Sequence, residues 1–159
     1  MSTVIGIFDD RSQAENAMHE IRNAGITDDE ISIVAKEDIV KDEGEQDRGN
    51  LTGEISRGAT TGGTIGGLAG LIAGAGALTI PGIGPIVAAG PIAAGLTGVA
   101  AGGITGSLVD MGIPEDRGEY YEEEVKKGSI VATVEADKAK INEVASYMRR
   151  NQARDVEIH

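Results

Sequence analysis

The side chains best suited to chemistry in this sequence are carboxylates and two histidines. Oxygen ligands such as glutamate bind Ca²⁺ or Mg²⁺ when several converge, but a metal site would also need a spacing that brings the groups together. His19 stands alone within a segment of helical pattern, and His159 is the last residue of the sequence. We therefore expect His19 at the surface and the glutamates on a solvated helix face with local salt bridges. The glutamates in question are Glu119, Glu122, Glu123 and Glu124.

Other chemistries are also disfavoured by residue type. The chain has no cysteine, which excludes thiol catalysis, disulfides and thiolate metal sites. Gly82-Ile83-Gly84 is followed by Pro85, which lacks the N–H that a phosphate loop would donate. The net charge of −12 leaves no basic patch for a nucleic acid. We predict no catalytic, cofactor or metal site and no nucleic-acid partner, and expect Tyr120 and Tyr121 to be packing residues.

The clearest pattern is a charge-free, glycine-rich segment. All charged side chains lie outside residues 58–109, and 16 of those 52 residues are glycine. Residues four apart share one face of a helix, so glycines at this spacing allow a second helix to approach closely. The first such series is Gly58, Gly62, Gly66, Gly70 and Gly74, and the second is Gly90, Ala94, Gly98, Gly102 and Gly106.

The two glycine series are separated by residues that interrupt a helix. We predict that residues 57–110 form a helical hairpin with arms at 59–80 and 85–109, in which the glycines mediate helix packing and oligomerisation. Its tip would be Ile80, Pro81, Gly82, Ile83, Gly84 and Pro85.

The environment of this hairpin is open to two interpretations. Each arm exceeds the ~20 residues that cross a bilayer, and the segment carries no charge. The first arm, however, has seven Gly and four Thr against six Leu and Ile, so its tendency to insert is marginal. The hairpin therefore packs either in lipid or on protein. In both cases we expect self-association, because so much apolar surface does not stay exposed on a small chain.

The flanking regions predict an α+β domain. Residues 1–36 have a β-α-β pattern, and residues 111–159 supply a helix followed by a second β-α-β pattern. Ser12 and Glu15 have the spacing of a capping box for the first helix. Residues 37–56 form an acidic polar linker. The predicted fold is ferredoxin-like (split βαβ), with the glycine-rich hairpin inserted between its halves.

The central run resembles a known family. Residues 77–91, ALTIPGIGPIVAAGP, and the flanking runs VIGIF (4–8) and MGIPE (111–115) are similar to bacterial general stress proteins with a heat-induced, YflT-type domain. The resemblance covers nearly the whole chain. It implies an intracellular, stress-induced bacterial protein and implies no reaction.

Two functions follow as hypotheses. The first is a non-enzymatic general stress protein that self-associates, associates with the membrane, or both, through the glycine-zipper hairpin. Its partner would be itself, with membrane lipid as a further candidate, and its location cytoplasmic or at the membrane. The second is a soluble ligand-binding or regulatory module whose hairpin packs only against protein.

Overall fold

The protein is an α+β domain built on one antiparallel sheet. The structure, a computed structural model, describes residues 1–40, 76–98 and 102–159. Within these ranges the sheet has six strands in the order β3-β4-β2-β5-β1-β6. The strands are β1 (Ser2–Phe8), β2 (Ile31–Lys36), β3 (Gly76–Ile80), β4 (Gly84–Ala89), β5 (Ile130–Ala136) and β6 (Arg154–Ile158).

One face of the sheet is covered by two helices, α1 (Arg11–Asn23) and α5 (Ile141–Arg150). Alternate residues of a strand point to opposite faces, so Val4 and Phe8 of β1 face these helices. They are fully buried with Met18 of α1 in one hydrophobic cluster. This first core cluster is what the apolar spacing in both helices predicts.

The opposite face is covered by three further helices. These are α2 (Pro91–Gly98), α3 (Gly103–Asp110) and α4 (Glu115–Lys126). Ile5 and Ile7 of β1 point to this side and share a second core cluster with Ile104 and Leu108 of α3. Both faces of the central strands β1, β2 and β5 are buried, which explains why their sequences are almost entirely apolar.

The flanking elements were predicted closely, but the start of α1 was not. Asp10, one residue before the helix, caps it by accepting a hydrogen bond from the Ser12 N–H at 2.9 Å. Glu15 instead accepts from Arg11, 2.9 Å away on the same helix. The predicted Ser12–Glu15 capping box is thus wrong, because an aspartate two residues before Ser12 takes the capping position.

The two predicted helical arms are wrong on both sides of the tip, where the structure has strands instead of helices. Residues 76–80 and 84–89 are strands of a β-hairpin, and the described part of the second arm is divided among β4, α2 and α3. The predicted tip residues do form the turn, with Gly82 and Gly84 at positive φ of 87° and 91°. The middle of β4 is Ile86-Val87, and such β-branched residues favour a half-buried strand when a sheet edge is available for pairing. The remainder of the first arm, and the polar linker beyond residue 40, lie outside the described residues.

Candidate interaction surface

Helix α3 lies between the sheet and the surface. Ile104 and Leu108 on its inner side are fully buried in the second core cluster. These residues are four apart and therefore occupy one face of the helix. Gly106 and Val109 fall on its other side. The sheet thus holds α3 with this second face directed away from the core.

Two close contacts fix α3 against its neighbouring helices. A β-carbon built on Gly95 of α2 would lie 3.1 Å from the Cβ of Ser107, and one built on Gly118 of α4 would lie 3.1 Å from the Cγ2 of Thr105. Such separations are tighter than ordinary contacts between side-chain carbons, so a larger residue would push the helices apart. Glycine is therefore used inside these helices where another helix comes close.

Gly106 differs from both of these glycines. It lies within α3, yet a β-carbon built on it would meet no atom within 4 Å among the described residues. One turn away, Val109 is 42% exposed. A glycine within a helix costs about 1 kcal/mol relative to alanine. At Gly106 the described residues supply no close contact to offset that cost.

Glutamate side chains of α4 complete the surroundings of α3. Glu122 accepts hydrogen bonds from the backbone N–H of Thr105 at 2.9 Å and from its hydroxyl at 2.7 Å. The first turn of a helix has N–H groups without helical partners and carries partial positive charge. Glu122 therefore caps α3 from the neighbouring helix, a role that its position in the sequence does not reveal.

A groove of about 740 Å³ runs between α3 and α4. Gly102, Gly106 and Val109 belong to its lining, and carboxylates surround them. Lys126 lies 2.7 Å from Glu123 and 3.9 Å from Glu122. The hydrogen bond between Lys126 and Glu123 lowers the pKa of the carboxyl and raises that of the ammonium. The acidic lining residues are Asp110, Glu115, Glu119, Glu122 and Glu123.

Glu124 departs from the predicted solvated face. Glu124 as a whole is only 6% exposed to solvent. Its carboxylate contacts Lys127 at 2.8 Å and Arg154 at 3.1 Å. The hydrogen bond from Lys127, aided by Arg154, lowers the pKa of Glu124 despite the opposing effect of burial. Arg154 also binds Asp9 with two nitrogens, at 2.8 and 2.5 Å. Lys127 thus pairs with a buried carboxylate, although Glu124 is one of the four glutamates that were expected on a solvated face.

A second polar group joins α4 to the edge strand β6. Arg117 forms a two-nitrogen pair with Glu157 and lies over the rings of Tyr120 and Tyr121, 4.7 and 5.3 Å from their centroids. Both tyrosine hydroxyls donate to Asp155, Tyr120 to its carboxylate at 2.6 Å and Tyr121 to its carbonyl at 2.9 Å. Burial raises the pKa of Tyr121 well above its ordinary value. The expectation that both tyrosines are packing residues is confirmed.

The predicted glycines of the first series, Gly58, Gly62, Gly66, Gly70 and Gly74, lie outside the described residues. In the second series, Gly90 precedes α2 at φ 78°, and a β-carbon there would lie 2.0 Å from the carbonyl oxygen of Ile31. Gly98 ends α2, Gly102 precedes α3 and Gly106 lies within it. These glycines therefore do not form one stripe on a single helix, because the chain is divided between two helices.

Neither histidine lines the groove between α3 and α4. His19 is exposed on α1, as expected, and His159 lies 3.0 Å from Glu157. Among residues 1–40, 76–98 and 102–159, no group of three His, Asp or Glu side chains could hold a metal ion. Within the same ranges, no helix is long and apolar enough to cross a membrane.

Comparisons with protein-family models, with curated proteins and with solved structures find no match to this chain.

Proposed function

We propose that this protein is non-enzymatic and acts by self-association in a bacterial stress response, the setting that the family resemblance implies. The charge-free, glycine-rich segment (residues 58–109) would supply the contact surface between copies. The observation that carries the proposal is the uncovered glycine on α3. Gly95 and Gly118 each support a close helix contact, whereas Gly106 faces open space among the described residues. A helix of a second copy seated there would provide the contact that offsets the cost of the glycine.

The position of the apolar side chains supports packing on protein rather than lipid. Ile86, Ile92, Ile104 and Leu108 belong to the second half of the uncharged segment, and all are fully buried in the second core cluster. Transfer of these side chains to a bilayer would expose Ile5 and Ile7 of β1, which they bury in this structure. We therefore propose a cytoplasmic assembly, with lipid contact by the first arm as the alternative.

We further propose a ferredoxin-like arrangement at the centre of the fold. The strand order β6-β1-β5-β2, with every neighbouring pair antiparallel, supports it. The helices α1 and α5 on one face have the positions that two split βαβ units require. In this proposal the inserted segment extends the sheet with β3 and β4 and covers its second face with α2, α3 and the following α4.

Replacement of Gly106 by leucine tests the function. A leucine at this position would fill the space that a second helix needs. Because a β-carbon there meets no described atom within 4 Å, we expect the monomer still to fold. We expect light scattering to show a large loss of the assembled mass. Ser146→Leu, a comparable enlargement on the exposed face of α5, is the matched control and should leave the mass unchanged.

Three results separate the alternatives. An unaltered assembly in the Gly106→Leu variant would reject α3 as the contact. A wild-type chain that stays monomeric at all concentrations would reject self-association, and a soluble ligand-binding module would then be the better hypothesis. Retention in the membrane fraction after an alkaline wash would replace the protein contact by a lipid contact.

A further inference from the structure

The outer strand β3 has the features of a pairing edge. It is the terminal strand of the sheet, and no described residue pairs with its outer side. Leu78 and Ile80 are half-buried against the second core cluster, whereas Ala77 and Thr79 are exposed. None of its five residues is charged or proline. Protected edge strands commonly carry such residues.

The backbone groups that face outward can be identified from Pro85. Thr79 lies opposite Pro85 in the β3–β4 register. Proline has no N–H, so this pair cannot exchange two hydrogen bonds and must be of the non-hydrogen-bonded type. Because the types alternate along an antiparallel pair, the N–H and C=O groups of Ala77 and Thr79 point away from β4. Both residues therefore offer a donor and an acceptor at the edge.

The opposite edge of the sheet is unsuited to pairing. Strand β6 carries Arg154, Asp155 and Glu157, and its register with β1 is irregular between Ile5 and Ile7. Asp155 also has a positive φ of 49°, which bends the strand out of regular extension. A head-to-tail contact of β3 with β6 of another copy is thereby disfavoured.

We propose that β3 pairs in antiparallel orientation with β3 of a second copy, across a two-fold axis at Leu78. This inference rests on the proposed self-association and assigns one of its contact surfaces. Charge favours a second copy as the occupant. The chain has a net charge of −12, but residues 58–109 have no charged side chain, so two β3–β4 hairpins can approach without opposing carboxylates.

The register follows from the two-fold axis. With Leu78 opposite the partner's Leu78, Ala77 lies opposite the partner's Thr79. The outward donors and acceptors of the two strands then meet in about four hydrogen bonds. A two-fold contact of this kind uses the same surface on both subunits and closes as a dimer, so the sheet does not continue into a fibre.

The absence of native cysteine allows a direct test. Leu78→Cys would place two sulfurs opposite each other in a non-hydrogen-bonded pair, with Cα atoms about 4.5 Å apart, within disulfide range. Ala77→Cys would place the two Cα atoms about 7–8 Å apart on the diagonal, beyond easy reach. We expect Leu78→Cys to cross-link at least about ten-fold faster than Ala77→Cys or the distant control Ser146→Cys under mild oxidation.

A second pair of variants keeps the test valid if Leu78→Cys folds poorly. Ala77→Cys and Thr79→Cys are exposed substitutions, and each alone should cross-link slowly. Mixed in equal amounts, they should cross-link to each other, because Ala77 lies opposite the partner's Thr79. Equal rates for the mixture and for the separate variants would overturn this register.

The outcome distinguishes this inference from the function on which it rests. If the wild-type chain is oligomeric but neither cross-linking pattern appears, β3 pairing is rejected and self-association stands. If the wild-type chain is monomeric and the cysteine variants do not cross-link, both are rejected. A Leu78→Cys chain that cross-links only to another protein would replace the second copy by an unlike partner.

Discussion

The Cγ2 of Thr105 lies 3.1 Å from the position that a β-carbon on Gly118 would occupy, so α3 comes close to the backbone of α4 at this glycine. The same Thr105 donates its N–H and hydroxyl to Glu122, one turn further along α4. One residue of α3 thus receives both a steric and a polar contact from α4. This double contact holds the outer face of α3, with Gly106, in a defined position.

Gly106 and Gly118 form a matched pair for alanine substitution. Gly106→Ala should stabilise the monomer by up to ~1 kcal/mol, because alanine favours a helix and the new methyl has free space. Gly118→Ala should lose that gain through overpacking against Thr105, which costs ~1–3 kcal/mol. Urea unfolding at low protein concentration measures both. Equal stabilisation by the two substitutions would contradict the close approach of α3 and α4.

Gly90 provides a separate test of backbone contact. Gly90→Ala should destabilise the fold by about 3 kcal/mol or more, because its methyl would collide with the Ile31 carbonyl and the left-handed conformation adds strain. Gly82→Ala is the control, since Gly82 has a similar φ of 87° and no atom within 4 Å. It should lose only ~1–2 kcal/mol. Similar losses in thermal unfolding would show that the Ile31 contact is unimportant.

Glu124 predicts a dependence of stability on pH. Its pKa in the folded protein is lowered from 4.5 by Lys127 and Arg154, so its contribution is complete above about pH 5 and is lost as the pH falls toward the folded pKa. Glu124→Gln should cost ~1–3 kcal/mol at pH 7. It should also flatten the decline in unfolding free energy between about pH 5 and pH 3.

Glu123→Gln is the matched control for this pH dependence, because the Glu123–Lys126 pair is exposed and screened by solvent, so that its loss should change stability little. Urea unfolding at pH 7, 5 and 3 compares the variants. A Glu124→Gln chain with the full wild-type pH dependence would assign the acid sensitivity to other carboxylates.

Removal of residues 57–109 tests whether the flanking halves fold by themselves. The deletion, closed by a short linker, takes away Ile92, Ile104 and Leu108, which cover Ile5 and Ile7 on the second face of the sheet. We expect loss of cooperative unfolding in calorimetry and strong binding of a hydrophobic dye, because a broad apolar face becomes exposed. A cooperatively folded deletion variant would instead support an autonomous module with a dispensable insert.

Local signals account for the parts of the fold that were predicted well. The helix α4 begins after Pro114 and is preceded and followed by residues typical of helix ends, and the structure places it at Glu115–Lys126. The apolar residues Ile141, Val144 and Met148 likewise recur at helical spacing, and they lie on the buried face of α5. Such elements are specified by residues within about one helical turn of each other, so the sequence alone identifies them.

The interaction surface depended on contacts between distant segments. Gly95 and Gly118 stand outside the four-residue glycine series, and only the packing of α2, α3 and α4 shows that they are the sites of close approach. The burial of Glu124 likewise depends on Arg154, thirty residues away. No local pattern signals either relationship.

Composition and spacing determined that this chain has an α+β character, a charge-free glycine-rich segment and a turn at residues 80–85. The tertiary structure decided that this turn joins strands. A glycine-rich apolar run is compatible with a helix or a strand, and its intrinsic preference for either is weak. The available edge of β2 and the uncovered face of Ile5 and Ile7 favoured a β-hairpin followed by short helices, because that arrangement buries the apolar surface of both partners.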